Sequence, residues 1–194
     1  MSIRALVKKT LYIPSDCLKL LYFSIKKIKF PKKARIRGKV YIINRGKIEF
    51  GDNLIINGGN KFNPIGFCGV CNFVAEKGAE IKIGNNFGAS GVTLYSRCSI
   101  KIGNNVMLGG GVKIYDTDFH SLDHTFRGTP ADKENTTNKP IILEDDVFVG
   151  AGSIILKGVE IGSQSVIGAG SVVTKSVPAG EIWAGNPAKF IRKI

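Results

Sequence analysis

Val149-Gly150-Ala151-Gly152-Ser153-Ile154, Ile155-Leu156-Lys157-Gly158-Val159-Glu160, Ile161-Gly162-Ser163-Gln164-Ser165-Val166, Ile167-Gly168-Ala169-Gly170-Ser171-Val172: inside the stretch from Val147 to Pro178 the chain repeats every six residues. Each block opens on a branched aliphatic residue, and glycine follows it in three of the four. A period of six matches neither the 3.6 of a helix nor the 2 of a lone strand. It matches a parallel β-helix, in which a short strand and a turn make one side of a triangular coil. The aliphatic residue points inward at every repeat. Three blocks make one coil, so Val149 and Ile167 are expected to stack about 4.8 Å apart up one face.

Working outward, the repeat is imperfect from about Arg35 and then carries a recurring corner. Lys47-Ile48-Glu49-Phe50-Gly51-Asp52-Asn53, Glu80-Ile81-Lys82-Ile83-Gly84-Asn85-Asn86 and Ser99-Ile100-Lys101-Ile102-Gly103-Asn104-Asn105 are its clearest copies, with weaker ones from Ile141 and Val159. Asn and Gly tolerate left-handed backbone angles, so this is turn chemistry. The strand-then-long-helix context of a dinucleotide fingerprint is missing. Anchors 83, 102, 143 and 161 are spaced by 19, 41 and 18 residues, which places an excursion between Asp116 and Lys139.

That excursion is the only break in the regular half of the chain. It holds both histidines, His120 and His124, and puts Asp116, Asp118, His120 and Asp123 within eight residues. Solenoids place their sites on such loops. A neutral imidazole beside a carboxylate is what general-base catalysis near neutral pH requires. Asp118 and Asp123 are both candidates to orient the ring. A catalytic metal centre of the three-histidine kind is excluded, because the chain has two histidines in all. The CxxC at Cys68 and Cys71 lacks a second pair or a nearby histidine to complete a zinc site, and the four cysteines do not form a disulfide framework. No metal is expected.

The formal charge of +13 is local. Up to Val40 there are twelve Lys or Arg against one acid, Asp16, a net +11. Leu18, Leu21, Tyr22, Ile25 and Ile28 recur at helical spacing among lysines, which predicts a basic amphipathic helix capped near Ser15-Asp16 and ended before Pro31. Three uses stay open: packing on a neighbouring subunit or on the end of the solenoid, which needs a cap; docking on anionic lipid; and, least supported, nucleic acid, for which no reading motif is present. Such an arm, far in sequence from His120, is expected to be dispensable for chemistry.

No apolar run approaches the length that spans a bilayer, and no small-residue cleavage site follows an apolar core. The expectation is a cytoplasmic protein, with contact at the inner face of the membrane through the arm. The expected organisation is a basic arm at 1–37, an all-β domain of hexapeptide repeats at 38–180 with the insert 116–139, and a cationic tail at 181–194.

Two segments carry a resemblance: the terminal Val166-Ile-Gly-Ala-Gly-Ser-Val-Val-Thr-Lys175 with Ala184-Gly-Asn-Pro-Ala188, and the loop His120-x-Leu122-Asp123-x-x-x-Arg127. The chain resembles the hexapeptide-repeat acyltransferases, nearest the maltose, galactoside and polysaccharide O-acetyltransferases. That resemblance implies a left-handed parallel β-helix, a homotrimer, acetyl-CoA as acyl donor in the cleft between subunits, and a sugar or glycan hydroxyl as acceptor. It implies His120 as catalytic base. Ala151 and Ala169 are implied at the pantetheine arm, with Thr174 and Lys175 as the next contacts and Lys189 and Arg192 near the nucleotide phosphates. Ser90 stands where relatives have Asn beside the acceptor, and Arg127 is a further acceptor or orienting candidate. An N-acyltransferase acting on an amino sugar nucleotide would share the base, whereas a non-catalytic scaffold would need neither the histidine nor the cationic tail.

Overall fold

The computed structural model describes residues 16–66 and 69–194. Ser15 of the expected helix cap and Cys68 of the CxxC lie outside them, as do the side chains of Asp16 and Cys17. Cys71 is buried and its Sγ donates to Asn57 O at 3.4 Å, while Cys98 is a half-buried free thiol.

Three parallel sheets wrap into a triangular prism, the left-handed parallel β-helix. The first sheet runs from Arg35–Gly38 through Ile55–Gly58, Gly88–Ser90, Met107–Leu108, Phe148–Val149 and Val166–Ile167 to Glu181–Gly185. The second contains Val40–Asn44, Cys71–Ala75, Thr93–Ser96, Lys113–Tyr115, Ile154–Leu156 and Val172–Val173. The third contains Lys47–Phe50, Glu80–Ile83, Ser99–Ile102, Ile141–Leu143 and Glu160–Ile161. Because the chain visits the sheets in rotation, equivalent residues pair directly. Ile42, Phe73, Leu94, Ile114, Ile155 and Val173 form one inward column, and Ile56, Ala89, Leu108, Val149 and Ile167 another. All are buried. Each large aliphatic side chain in such a column contributes about 1.5–3 kcal/mol by leaving water.

The asparagine corner is a ladder. Asn53, Asn86, Asn105 and Asp146 all have positive φ, between 58° and 62°. The Nδ2 of Asn53 donates to Asn86, that of Asn86 to Asn105 and that of Asn105 to Asp146, at 2.7–2.9 Å. The left-handed turn and the amide chain are thus one device.

The helix Asp16–Ile25 closes the N-terminal end of the prism. Phe23 packs edge-on against Phe30 and tilted against Phe50, which in turn meets Phe73 of the core. The Tyr22 hydroxyl accepts from Ile42 N at 3.0 Å, taking up a donor on the edge strand of the second sheet. Asn44 donates its side-chain amide to Lys26 O at 2.9 Å. This is the end-cap use of the arm, and it corrects the expected helix face. Of the periodic set only Tyr22 and Ile28 are buried, while Phe23, outside that set, is 1% exposed; Leu18, Leu21 and Ile25 face outward. Core contacts of aromatic residues, rather than heptad-like spacing, set the helix rotation. An arm that carries core residues is also less separable than its charge suggested.

At the C-terminus the coil runs on past residue 180, where the tail was expected to begin. Glu181–Gly185 still pairs in parallel with Val166–Ile167, adding one more strand before the Asn186-Pro187 turn sends Ala188–Lys193 back antiparallel. A second excursion, residues 59–70, leaves between Ile55–Gly58 and Cys71–Ala75. Gly59, Asn63-Pro64, Gly66 and Gly69 mark it in the sequence.

Candidate active site

The 116–139 insert leaves at the edge between the second and third sheets. Its root is pinned by Asp116, fully buried, whose carboxylate accepts from Ser96 Oγ at 2.6 Å, Arg97 N at 2.7 Å and Cys98 N at 2.9 Å. Thr117 bridges Asn138, and Asp118 N donates to Thr137 O at 3.1 Å, so the two stems close on each other. Asp116 is therefore an anchor and not an acid-base group.

Beyond the root the backbone is strained. Phe119 has φ of +64°, and His120 N donates back to Asp118 O at 2.8 Å, a γ-turn with a bulky residue at its centre. Three restraints hold it. The Phe119 ring packs against Tyr95 and Tyr115, at 5.0 and 5.2 Å between centroids. Arg97 Nη1 donates to Phe119 O at 3.3 Å. Lys157, from the next coil, pairs with Asp118 at 2.6 Å, with both side chains largely buried. The turn is clamped from the coil before it and the coil after it.

The clamp projects His120. Its Nδ1 lies 2.7 Å from Asp132 Oδ2, and its side chain is 69% exposed. Asp132 also accepts from Ser121 N at 2.6 Å and Gly128 N at 3.2 Å. Those hydrogen bonds, the Ser121 amide first and the His120 ring next, hold the Asp132 carboxyl down at about 2. An ionised carboxylate can only accept, so the Nδ1 proton points at Asp132 and the Nε2 lone pair faces outward.

The carboxylate on His120 is thus Asp132, not Asp118 or Asp123. Asp118 is engaged by Lys157, and Asp123 closes a local turn by accepting from Thr125 N and Oγ1, which lowers its pKa. Arg127 is spent inside the loop, donating to Ser121 O and Leu122 O at 3.0 and 2.8 Å. His124 stands out in solvent, 89% exposed. Asp132 lay twelve residues from His120 with no spacing rule to connect them; Lys157 and Arg97 were equally invisible, because register alone brings them to the loop.

The remaining candidates fall into two groups. Leu156 and Lys157 continue the register of Ile155 with Val173, so Thr174 and Lys175 follow them on the same edge as the insert. Ser90, Ala151 and Ala169 occupy the next edge, between the first and second sheets. There the Gly109 backbone lies directly under Ala151, and that of Gly150 under Ala169, with no room for a Cβ. Lys189 pairs with Ala184, itself stacked over Gly168, and so joins this second group. Arg192 pairs with Ile182 and donates to Lys193 O. Ser90 is buried, and Asn57 Nδ2 donates to its hydroxyl at 3.4 Å. No single edge gathers His120 and the Ala151–Ala169 column. A cavity of about 1360 Å³ lies elsewhere, between the helix and the third sheet, lined by Lys26, Lys29, Glu49, Lys82 and Lys101.

Comparison with known proteins agrees with the fold. Residues 140–175 match the model of the hexapeptide repeat of succinyl-transferase. The acetyltransferase-like protein C18B11.09c of Schizosaccharomyces pombe is 43% identical over 120 residues, which cover 61% of this chain and 56% of that protein. The chain spans 60% of a similar Saccharomyces cerevisiae relative, so less than two thirds of either. Among solved structures, a maltose O-acetyltransferase from Clostridium difficile 630 superposes with a TM-score of 0.58 at 27% identity, covering 98% of this chain and 81% of that one. The polySia-specific acetyltransferase NeuO superposes with a TM-score of 0.56 at 32% identity, covering 81% and 70%. With a third of its aligned residues shared with NeuO, the repeat matched and the coil reproduced, the chain belongs to the hexapeptide-repeat acetyltransferase family.

Proposed function

We propose that this chain is an acetyl-CoA-dependent O-acetyltransferase that acts on a hydroxyl of a sugar or polysaccharide precursor, with His120 as general base. The observation that carries this is the His120–Asp132 pair, an outward Nε2 lone pair held by an ionised carboxylate on the one histidine loop that is anchored at its root. The maltose and polySia acetyltransferases among its neighbours support the acceptor class.

Acetyl-CoA supplies an activated acetyl thioester. His120 Nε2 takes the proton of the acceptor hydroxyl as its oxygen bonds to the thioester carbonyl carbon; the carbon–sulfur bond then breaks, and the imidazolium returns the proton to the departing thiolate. The N–H groups of Ala151 and Ala169 make no hydrogen bond among the described residues, which leaves them as donors for the pantetheine arm or the developing oxyanion. Thr174, Lys175, Lys189 and Arg192 are assigned to the rest of the donor, the cations to its phosphates. Asp132 is assigned as the residue that orients the base, in place of Asp118 and Asp123, while Ser90 keeps its place beside the acceptor.

The working unit is a homotrimer. One chain separates His120 from the Ala151–Ala169 column by a face of the prism, so a cleft containing both needs a second copy. Met107 and Phe148 are register partners on the outside of the first sheet, 59% and 44% exposed, and offer the apolar face such a contact needs. The test is release of CoA from acetyl-CoA with sugar hydroxyls, amino sugar nucleotides or water as acceptor. Turnover with hydroxyl acceptors that is lost in His120→Ala supports the reading. Turnover with amines alone would overturn it in favour of N-acyl transfer, and none with any acceptor would favour a scaffold.

A further inference from the structure

The helix Asp16–Ile25 has its inner face occupied by Tyr22 and Phe23, yet its outer face is apolar as well. Leu20, Leu21 and Ile25 are 50%, 56% and 49% exposed, and Ser24 is the polar residue among them. A helix on the surface of a soluble protein normally turns charge outward there. The charge lies around this patch instead. Lys27 and Lys29 border it, and the sequence has no acidic residue between Asp16 and Glu49. A shallow groove beside it is lined by Leu20, Leu21, Lys27, Ile28, Lys29 and Phe30.

From this arrangement we infer that the outer face of the helix docks on a membrane leaflet that contains anionic phospholipid. Aliphatic side chains bordered by Lys27 and Lys29 match a surface whose headgroups are negative and whose interior is apolar. The same face of a second copy is disfavoured by charge, since each arm brings a net +11 up to Val40. A nucleic acid would neutralise the lysines but leave the leucines in water. Because Phe23 and Ile28 belong to the core, the helix is fixed to the prism, and docking would hold the whole enzyme at the surface, where a lipid-linked acceptor would be presented. The inference stands on the arm alone and does not depend on the acyl-transfer chemistry.

The experiment is flotation of the full chain with phosphatidylcholine vesicles, with and without phosphatidylglycerol. Binding is expected to the anionic vesicles and to weaken with salt. The double substitution Leu21→Ser, Ile25→Ser should weaken it at least about tenfold, as loss of about 1.4 kcal/mol of apolar burial implies. Lys27→Gln with Lys29→Gln should reduce it while leaving the fold intact by circular dichroism. Both pairs should turn over a small soluble acceptor at the unaltered rate. The inference is overturned if the intact chain fails to float with anionic vesicles, or if both double variants float equally well. It is also overturned if Leu21→Ser with Ile25→Ser lowers the assembly mass, which would make the face a subunit contact.

Discussion

His120 Nδ1 lies 2.7 Å from Asp132 Oδ2, and the two residues are twelve positions apart on one loop. The carboxylate also fastens the Ser121 and Gly128 amides, so one group sets both the tautomer of the base and the shape of the loop around it. Orientation of the ring and stability of the loop should therefore respond to the same substitutions.

His120→Ala should lower turnover by about 10²–10⁴-fold, the range of lost acid-base catalysis. Acetyl-CoA affinity should hardly change, which equilibrium binding would check. His124→Ala, on the same loop but solvent-exposed and 3.8 Å from Asp123, should stay near the unaltered rate. Similar losses in both variants would point to a fragile loop instead of a base.

Asp132→Asn removes the charge that holds the Nδ1 proton and should reduce kcat by about ten- to a thousandfold with little change in KM for the donor. The pH dependence has a definite sign. The Asp132 carboxyl is held at about 2, below its unfolded value near 4. Its contribution to stability is thus fully present above about pH 4 and is lost as pH falls toward 2. The melting-temperature gap between the unaltered protein and Asp132→Asn should narrow over that window. A constant gap would mean that the hydrogen bonds do not depend on the charge.

Lys157→Ala leaves Asp118 without its partner at a site where Asp118 Oδ2 already has no hydrogen bond. Both side chains keep some solvent, so the cost should be about 1–3 kcal/mol in denaturant unfolding, under the range for a fully buried pair. The strained Phe119 turn should relax with it and kcat should fall. Asp118→Asn combined with Lys157→Met should recover stability but not rate; recovery of both would show that the pair does not position His120.

Light scattering should give about three times the 21.0 kDa chain mass. Met107→Lys with Phe148→Lys places two charges on the apolar column of the first sheet and should dissociate the assembly and abolish turnover together. An active monomer would refute the shared cleft.

The prism was legible in the residues because its cause is periodic: one inward aliphatic every six positions, and a corner of the Gly-Asn-Asn kind whose last residue, as at Asn53, Asn86 and Asn105, turns with positive φ. The loop bearing His120 announced itself as the gap in that period. The extra strand at Glu181–Gly185 and the excursion at 59–70 carried weaker signals, since glycine and proline mark a turn without saying whether the coil resumes. Tertiary structure alone decided what depends on register between coils. It brought Lys157 to Asp118 and Arg97 to Phe119 from residues 39 and 22 positions away. It turned Phe23 inward and left Leu21 and Ile25 in solvent, because helix rotation answers to the aromatic side chains it meets. It also gave His120 to Asp132 and not to nearer carboxylates: the γ-turn at Phe119 points Asp118 toward Lys157 and the imidazole toward the far arm of its own loop.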